Sequence, residues 1–236
     1  MNNINELLEV SSKMNTAEAI TYFLKRFKNK IAFATSYSIE DQVITHLITT
    51  IDRNARIFTL DTGRLPAETY KLIESTNEHF GINVEIFFPD FRPVENMVHE
   101  KGINLFYNSI ENRKLCCNVR KIEPLKRAMQ GLEVWITGLR REQSITREET
   151  KLVEYDNNFS VIKLNPLVEW TEEEVWDFIK QNNIPYNSLY KQNYRSIGCA
   201  PCTRAVSSGG SIRDGRWWWE NPDTKECGLH FKTNRE

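Results

Sequence analysis

No apolar run in this chain is long enough to span a bilayer. The first residues, Met1-Asn2-Asn3-Ile4-Asn5-Glu6, lack the basic stretch and apolar run of a secretory signal. The expectation is a cytoplasmic protein. An excess of charge of one sign is also missing. Thirty-one Lys and Arg stand against 32 Asp and Glu, a formal net charge of −1, which argues against a general nucleic-acid or membrane-surface binder. Cysteine is scarce, and its count of five is odd. In a reducing compartment that argues for metal binding or catalysis over a disulfide framework. Internal repeats and low-complexity tracts are absent. So is the Gly-Lys-Ser/Thr of the usual ATP-binding phosphate loop, which argues against tight triphosphate binding.

What is present is a chain of 236 residues, enough for one domain with a sizeable core. Ala17, Ile20, Phe23, Leu24 and Phe27 recur at helical spacing. Short apolar runs then alternate with helical patterns. Residues 31–35, 56–60, 84–88 and 133–138 read as strands, and 161–164 as a fifth. Between them lie helices over 40–51, from Pro66 to Gly81, and from Pro93. Thr171 and Glu174 form a capping box that starts another helix, through about Lys180. This alternation predicts an α/β fold, a parallel sheet of about five strands covered by helices. Residues 184–236 lose the regularity and form an irregular C-terminal lobe and tail. The expected arrangement is one domain over 1–236, with a nucleotide-binding core at 30–183 and a cysteine-bearing lobe at 184–236.

Four cysteines fall into two pairs, Cys116-Cys117 and Cys199-x-x-Cys202. Four thiolates suit zinc or an iron–sulfur cluster. Adjacent cysteines diverge, which fits separate corners of a cube better than one tetrahedral ion. On spacing alone a cluster, a zinc site and inert cysteines all stay open. Cys116-Cys117 reads as the start of a helix running toward Met129, where the N-terminus would favour thiolate. Pro124 is expected to distort that helix. Basic residues gather in three groups near the cysteines: Arg113 to Arg127, then Arg140, Arg141 and Arg147, then Arg204, Arg213 and Arg216. Together they favour a small anionic ligand.

In a parallel α/β sheet ligands sit at the carboxyl ends of the strands. Three strand ends carry polar loops: Thr35 to Asp41, Leu60 to Arg64, and Gly138 to Ser144. The hydroxyls and helix-start amides of the first could hold a phosphate. Cys227, beside Gly228 and near His230, is a candidate nucleophile. Trp217-Trp218-Trp219 reads as an aromatic anchor, and His46, His79 and His99 as surface residues.

These motifs resemble a known family. Cys116-Cys117-x-x-Arg120-Lys121, Gly198-Cys199-x-Pro201-Cys202-Thr203-Arg204, Arg216-Trp217-Trp218-Trp219-Glu220 and Lys225-Glu226-Cys227-Gly228-Leu229-His230 are similar to bacterial-type assimilatory adenosine 5′-phosphosulfate (APS) reductases. Ser36-x-Ser38-x-Glu40-Asp41, Leu60 to Arg64 and Thr137-Gly138-x-Arg140-Arg141-x-Gln143-Ser144 resemble the same family, within the adenylyl-binding PP-loop proteins. The resemblance implies a PP-loop, Rossmann-like fold and a [4Fe–4S] cluster on Cys116, Cys117, Cys199 and Cys202. It implies Cys227 as the nucleophile that takes the sulfo group as S-sulfocysteine. It puts Lys121, Arg213, Arg216 and His230 around the phosphosulfate, and Ser36, Ser38, Leu60, Gly138 and Arg147 around the adenosine and ribose. Thioredoxin or glutaredoxin then releases sulfite. Some relatives carry a fused thioredoxin-like domain. None follows Cys227 here, so the reductant is expected to be separate. Tyr37 stands where Phe is commoner. Relatives that use the 3′-phosphorylated substrate, PAPS, usually lack the four cysteines, although some cluster-bearing ones accept both. PAPS or dual use, a PP-loop thiolation enzyme and a zinc-binding interaction protein are the competing readings. The sequence sets no oligomeric state and leaves a homo-oligomer open.

Overall fold

Six strands run in the order β3-β2-β1-β4-β6-β5. They are β1 Ile31–Thr35, β2 Ile57–Leu60, β3 Glu85–Phe87, β4 Val134–Ile136, β5 Val153–Asp156 and β6 Val161–Leu164. The computed structural model describes residues 4–144, 147–207 and 209–221. β1 pairs in parallel with β2 through Phe33↔Ile57 and with β4 through Phe33↔Ile136. β4 pairs in parallel with β6, and β5 runs antiparallel to β6. All five residues of β1 are apolar or Thr and nearly all are buried, as a strand covered on both faces requires. The sheet therefore matches the expected α/β class and adds one strand. β5 escaped the sequence reading because Val153-Glu154-Tyr155-Asp156 is short and half polar, and only Val153 and Asp156 are buried.

The helices follow their caps. α1 is Ile4–Ser11 and α2 is Thr16–Phe27, started by a capping box between Asn15 and Glu18. α2 buries Ile20, Phe23 and Phe27 of the expected stripe, together with Ala19, while Ala17 and Leu24 are half-buried. α3 is Ile39–Ile51, α4 Ala67–Phe80 and α5 Phe91–Lys101. α5 starts before Pro93, because the Asp90 side chain accepts from the Arg92 N–H and sets the cap two residues earlier. α6 is Ile110–Cys117, and a π-helical turn at Asn118–Ile122 joins it to α7, Glu123–Ala128. α8 is Glu172–Gln181, with the expected Thr171–Glu174 box in place.

This corrects the reading of Cys116-Cys117 as a helix start. They end α6, and the chain continues helically through the π turn, so they do not open a helix. Pro124 does distort the helix. It has no N–H and its ring crowds the carbonyl four residues back, and the wide turn lies directly before it.

The chain divides into two compact units. Unit 1 is Met1–Thr59, Ala67–Glu85 and Gly131–Tyr190, and its core gathers Phe23, Phe33, Ile44, Ile136, Leu164 and Val175 among others. Unit 2 is Leu60–Pro66, Ile86–Gln130 and Lys191–Glu236. Among the described residues, one buried cluster there gathers Met97, Leu105, Phe106, Cys116, Cys202 and Trp217. The division does not follow chain order, since residues 86–130 group with 60–66 and the C-terminal residues. Among the described residues no helix is long and apolar enough to cross a membrane.

Candidate active site

In unit 2, one cavity is lined by all four paired cysteines, Cys116, Cys117, Cys199 and Cys202. It encloses about 320 Å³ of empty space, counting the part open to solvent. Arg64, Arg113, Arg120 and Lys121 line it as well. Two sequence-distant segments thus bring their thiols to one place. Among the described residues, no three His, Cys, Asp or Glu side chains converge on a single metal-ion position. All four cysteines are free of disulfides.

The thiols differ electrically. Burial and the neighbouring Cys199 push Cys116 up, against the pull of Arg120, Arg64 and Lys121. Burial and Cys199 push Cys202 up to about 12. At Cys199 burial acts the same way, but Lys121, the Thr62 hydroxyl, Arg216 and Arg120 outweigh it and hold its thiol below the ordinary value. Thr62 Oγ1 lies 3.3 Å from Cys199 Sγ. The loop carrying Thr62 is fixed in turn. Arg120 Nη1 donates to the Thr62 carbonyl at 2.7 Å, and Gly63, at φ 68°, turns beside that guanidinium. Arg64 donates to the Ile103 carbonyl and the Asn104 side chain and lies over the Phe106 ring. Thr62 and Arg64 were not singled out in the sequence. Their signal was membership of the Leu60 to Arg64 strand-end loop, with no role given to either.

Arg216 is buried. Its Nε donates to the Cys202 carbonyl at 3.3 Å, and its guanidinium lies 4.6 Å from the Trp217 ring centre. Gly198 makes the room, because a Cβ there would lie 2.4 Å from Arg216 Nη2. Arg213 stands over the same Trp217 ring at 5.8 Å. Trp217 is almost fully buried, while Trp218 and Trp219 pack with Tyr107. The tail that the Trp run is expected to anchor lies outside the described residues. Cys227 and His230 lie outside the described residues.

Arg113 and Glu220 form a bidentate pair, each bond 2.8 Å, with side-chain exposures of 1% and 2%. Arg113 also lies 4.7 Å from the Trp217 ring centre. The pair ties α6, which carries Cys116 and Cys117, to the segment after the Trp run. Its partners are 107 residues apart, so no local pattern announced it. Glu220→Ala strands a buried guanidinium. It is expected to cost about 3–5 kcal/mol of stability, read by chemical denaturation. A loss of less than about 1 kcal/mol, the range of an exposed pair, would contradict this.

In unit 1 the cations of the loop after β4 have partners inside the protein. Arg140, 1% exposed at its side chain, donates from Nε to Glu40 at 2.9 Å and from Nη1 to the Trp170 carbonyl. Arg141 donates to the Thr150 carbonyl and pairs with Glu169. Arg147 bonds the Gln143 side chain, and Gln143 Nε2 donates to the Gly138 carbonyl. The loop after β1 winds around Asp41. Asp41 Oδ2 accepts from Ser36 N at 2.6 Å, Ser36 Oγ at 2.7 Å and Ser38 N at 3.4 Å. Ser38 caps α3 in return. These are the donors that the sequence reading offered to a phosphate. Burial pushes the Asp41 carboxyl up to about 6, against the bonds from Ser36 and with help from Glu40. Gly138 packs on this carboxylate, since a Cβ there would lie 2.2 Å from Asp41 Oδ1. Leu60, half-buried, ends β2. His46 is not a plain surface residue. It packs edge-on against Phe80 and Phe178, and burial lowers its pKa.

A largely parallel, helix-covered sheet with polar strand-end loops defines a class of α/β proteins, and solved structures share it. A phosphoadenylyl-sulfate (PAPS) reductase from Candida auris, in a phosphate complex, aligns with a TM-score of 0.74 at 24% identity, over 86% of this chain and 96% of that one. An FMN adenylyltransferase from Candida glabrata aligns at 0.56 with 15% identity, over 95% and 79%. Residues 30–205 match the model of the phosphoadenosine phosphosulfate reductase domain, and the chain belongs to that family. It is an oxidoreductase acting on a sulfur group. It is 52% identical over 202 residues to an adenosine 5′-phosphosulfate reductase of Allochromatium vinosum, covering 86% of this chain and 79% of that protein. It is 45% identical over 225 residues to one of Burkholderia cepacia, covering 95% and 90%.

Proposed function

We propose that this chain is a cytoplasmic reductase that converts APS to sulfite and AMP, with Cys116, Cys117, Cys199 and Cys202 holding a [4Fe–4S] cluster. The observation that carries this reading is the meeting of all four thiols at one cavity beside Lys121 and Arg120. The donor set fits the group: four soft thiols arrive as two pairs, and nearby cations offset the negative charge that four thiolates would bring. When bound, the cluster would supply a fixed local charge and a structural tie. The whole chain is read as one reductase domain.

The chemistry belongs to the chain's own residues. The Cys227 thiolate attacks the sulfur of APS. An S–S bond forms, the S–O bond breaks, and AMP leaves with the electron pair. Lys121, Arg213, Arg216 and His230 are assigned to the phosphosulfate, where cations offset the charge of an anion attacking an anion. Ser36, Ser38, Leu60, Gly138 and Arg147 are assigned to the adenosine and ribose. A thiolate of thioredoxin or glutaredoxin then attacks the Cys227 sulfur. Sulfite departs, and the donor's second thiol resolves the mixed disulfide. The two electrons come from that dithiol, which ends oxidised.

The test is anaerobic sulfite release with thioredoxin, APS and PAPS side by side. At least about tenfold higher kcat/KM for APS, about 1.4 kcal/mol of discrimination, is the expected result. Equal turnover would make the enzyme dual-substrate. Turnover of neither, with iron bound, would end the reading.

A further inference from the structure

We infer that Asp41 is a resident anion: its carboxylate fills the ring of donors between β1 and α3, and so makes this loop refuse the phosphate or sulfate group that such a ring otherwise binds. Successive N–H groups that turn through a left-handed residue form an anion-binding concavity. Here Tyr37 sits at φ 60°, flanked by the amides of Ser36 and Ser38 at the head of α3, where the helix dipole adds positive potential. Both amides and the Ser36 hydroxyl point at Asp41 Oδ2. Asp41 is 4% exposed. The carboxylate stands where a tetrahedral anion would sit, and it cannot leave without orphaning those donors.

The surroundings fit an internal anion better than an external one. Gly138 admits Asp41 Oδ1 by having no Cβ. Arg140, in the loop after β4, is committed to Glu40. Glu40 itself, and the hydroxyls of Tyr37 and Tyr190, are in electrostatic contact with Asp41. A second negative charge at this loop would meet two carboxylates and no uncommitted guanidinium among those named. The loop therefore acts as a specificity determinant. It tolerates a nucleotide whose phosphate lies elsewhere and turns away one that brings a phosphate here, as a nucleoside triphosphate can. Only the identity of what is refused rests on the nucleotide reading above. The exclusion of anions does not.

The test needs no turnover. Sulfate keeps its charge of −2 across the neutral range, so it is the probe. At pH 8, with ionic strength held by chloride, thermal unfolding and calorimetric titration are followed against millimolar sulfate for the wild type, Asp41→Ala and Asp41→Asn. Asp41→Ala empties the ring, and Asp41→Asn keeps it filled without charge. Asp41→Ala is expected to bind sulfate saturably, at least about tenfold tighter than the wild type, with a matching rise in its unfolding midpoint. Asp41→Asn is expected to respond far less. If Asp41→Ala is recovered unfolded, its refolding yield in sulfate against chloride gives the same reading, because an external anion should replace the missing carboxylate. Equal sulfate dependence in wild type and Asp41→Ala, or refolding that sulfate does not improve, would overturn the inference.

Discussion

Cys227→Ser is expected to lower sulfite release by at least about a thousandfold while bound iron and the circular dichroism spectrum stay at wild-type levels. A hydroxyl at this position is neither ionised near neutral pH nor soft enough to attack sulfur. The proposed cluster ligands Cys116, Cys117, Cys199 and Cys202 line one cavity, and this substitution leaves all four in place. The effect should therefore fall on turnover alone. Mass spectrometry after mixing with APS and no reductant supplies the second reading. The wild type should gain the mass of one SO₃ and the variant should gain none. Turnover retained by Cys227→Ser, or an adduct on another cysteine, would remove Cys227 from the chemistry.

The α/β core was legible because its signals are local. A buried parallel strand is a short apolar run, as in β1, and a capped helix shows its box within four residues, as with Thr171 and Glu174. β5 was not legible, since a half-polar edge strand has no pattern apart from its partner β6. The cysteine pairs could be picked out as pairs, but what each thiol meets could not be seen. The Thr62 hydroxyl at Cys199 comes from a loop 137 residues away in sequence. The helix-start reading of Cys116-Cys117 failed for a different reason. Pro124 marked a break but not its place, and the break falls after the cysteines as a π turn.

Charge was the least legible property. Three clusters of arginine pointed to an anionic ligand, yet Arg113, Arg140 and Arg141 turn out to serve Glu220, Glu40 and Glu169. An arginine side chain reaches far enough for its partner to lie on another element, so clustering in sequence does not measure what is left for a ligand. Asp41 is the converse case. Its sequence context, Ser-x-Ser-x-Glu-Asp, reads as a run of donors and caps, and only in the fold does the carboxylate consume the donors.

Cys199→Ser is expected to remove most of the bound iron and sulfide, and with them the visible absorbance, and to loosen unit 2 selectively. The surroundings of Cys199 favour the thiolate, through Lys121, Thr62, Arg216 and Arg120 against burial, and a metal ligand must be deprotonated. Serine keeps the volume but offers a hard, protonated oxygen in place of a soft sulfur. The structural cost follows from where the thiols sit. Among the described residues, Cys116 and Cys202 belong to the buried cluster of unit 2 with Met97, Phe106 and Trp217, so a bound group tied to all four sulfurs would contribute to its stability. Unit 1, with its separate core around Phe33 and Ile136, should hold. Limited proteolysis should then cut first within residues 86–130 or 191–221, and hydrogen exchange should rise there and not in β1 or β4. The metal assay separates the readings. Iron and sulfide in the wild type, lost together in the variant, support the cluster. Zinc in stoichiometric amount with no sulfide would assign the same four cysteines to a structural zinc site. Full iron retention in Cys199→Ser would strike Cys199 from the ligand set.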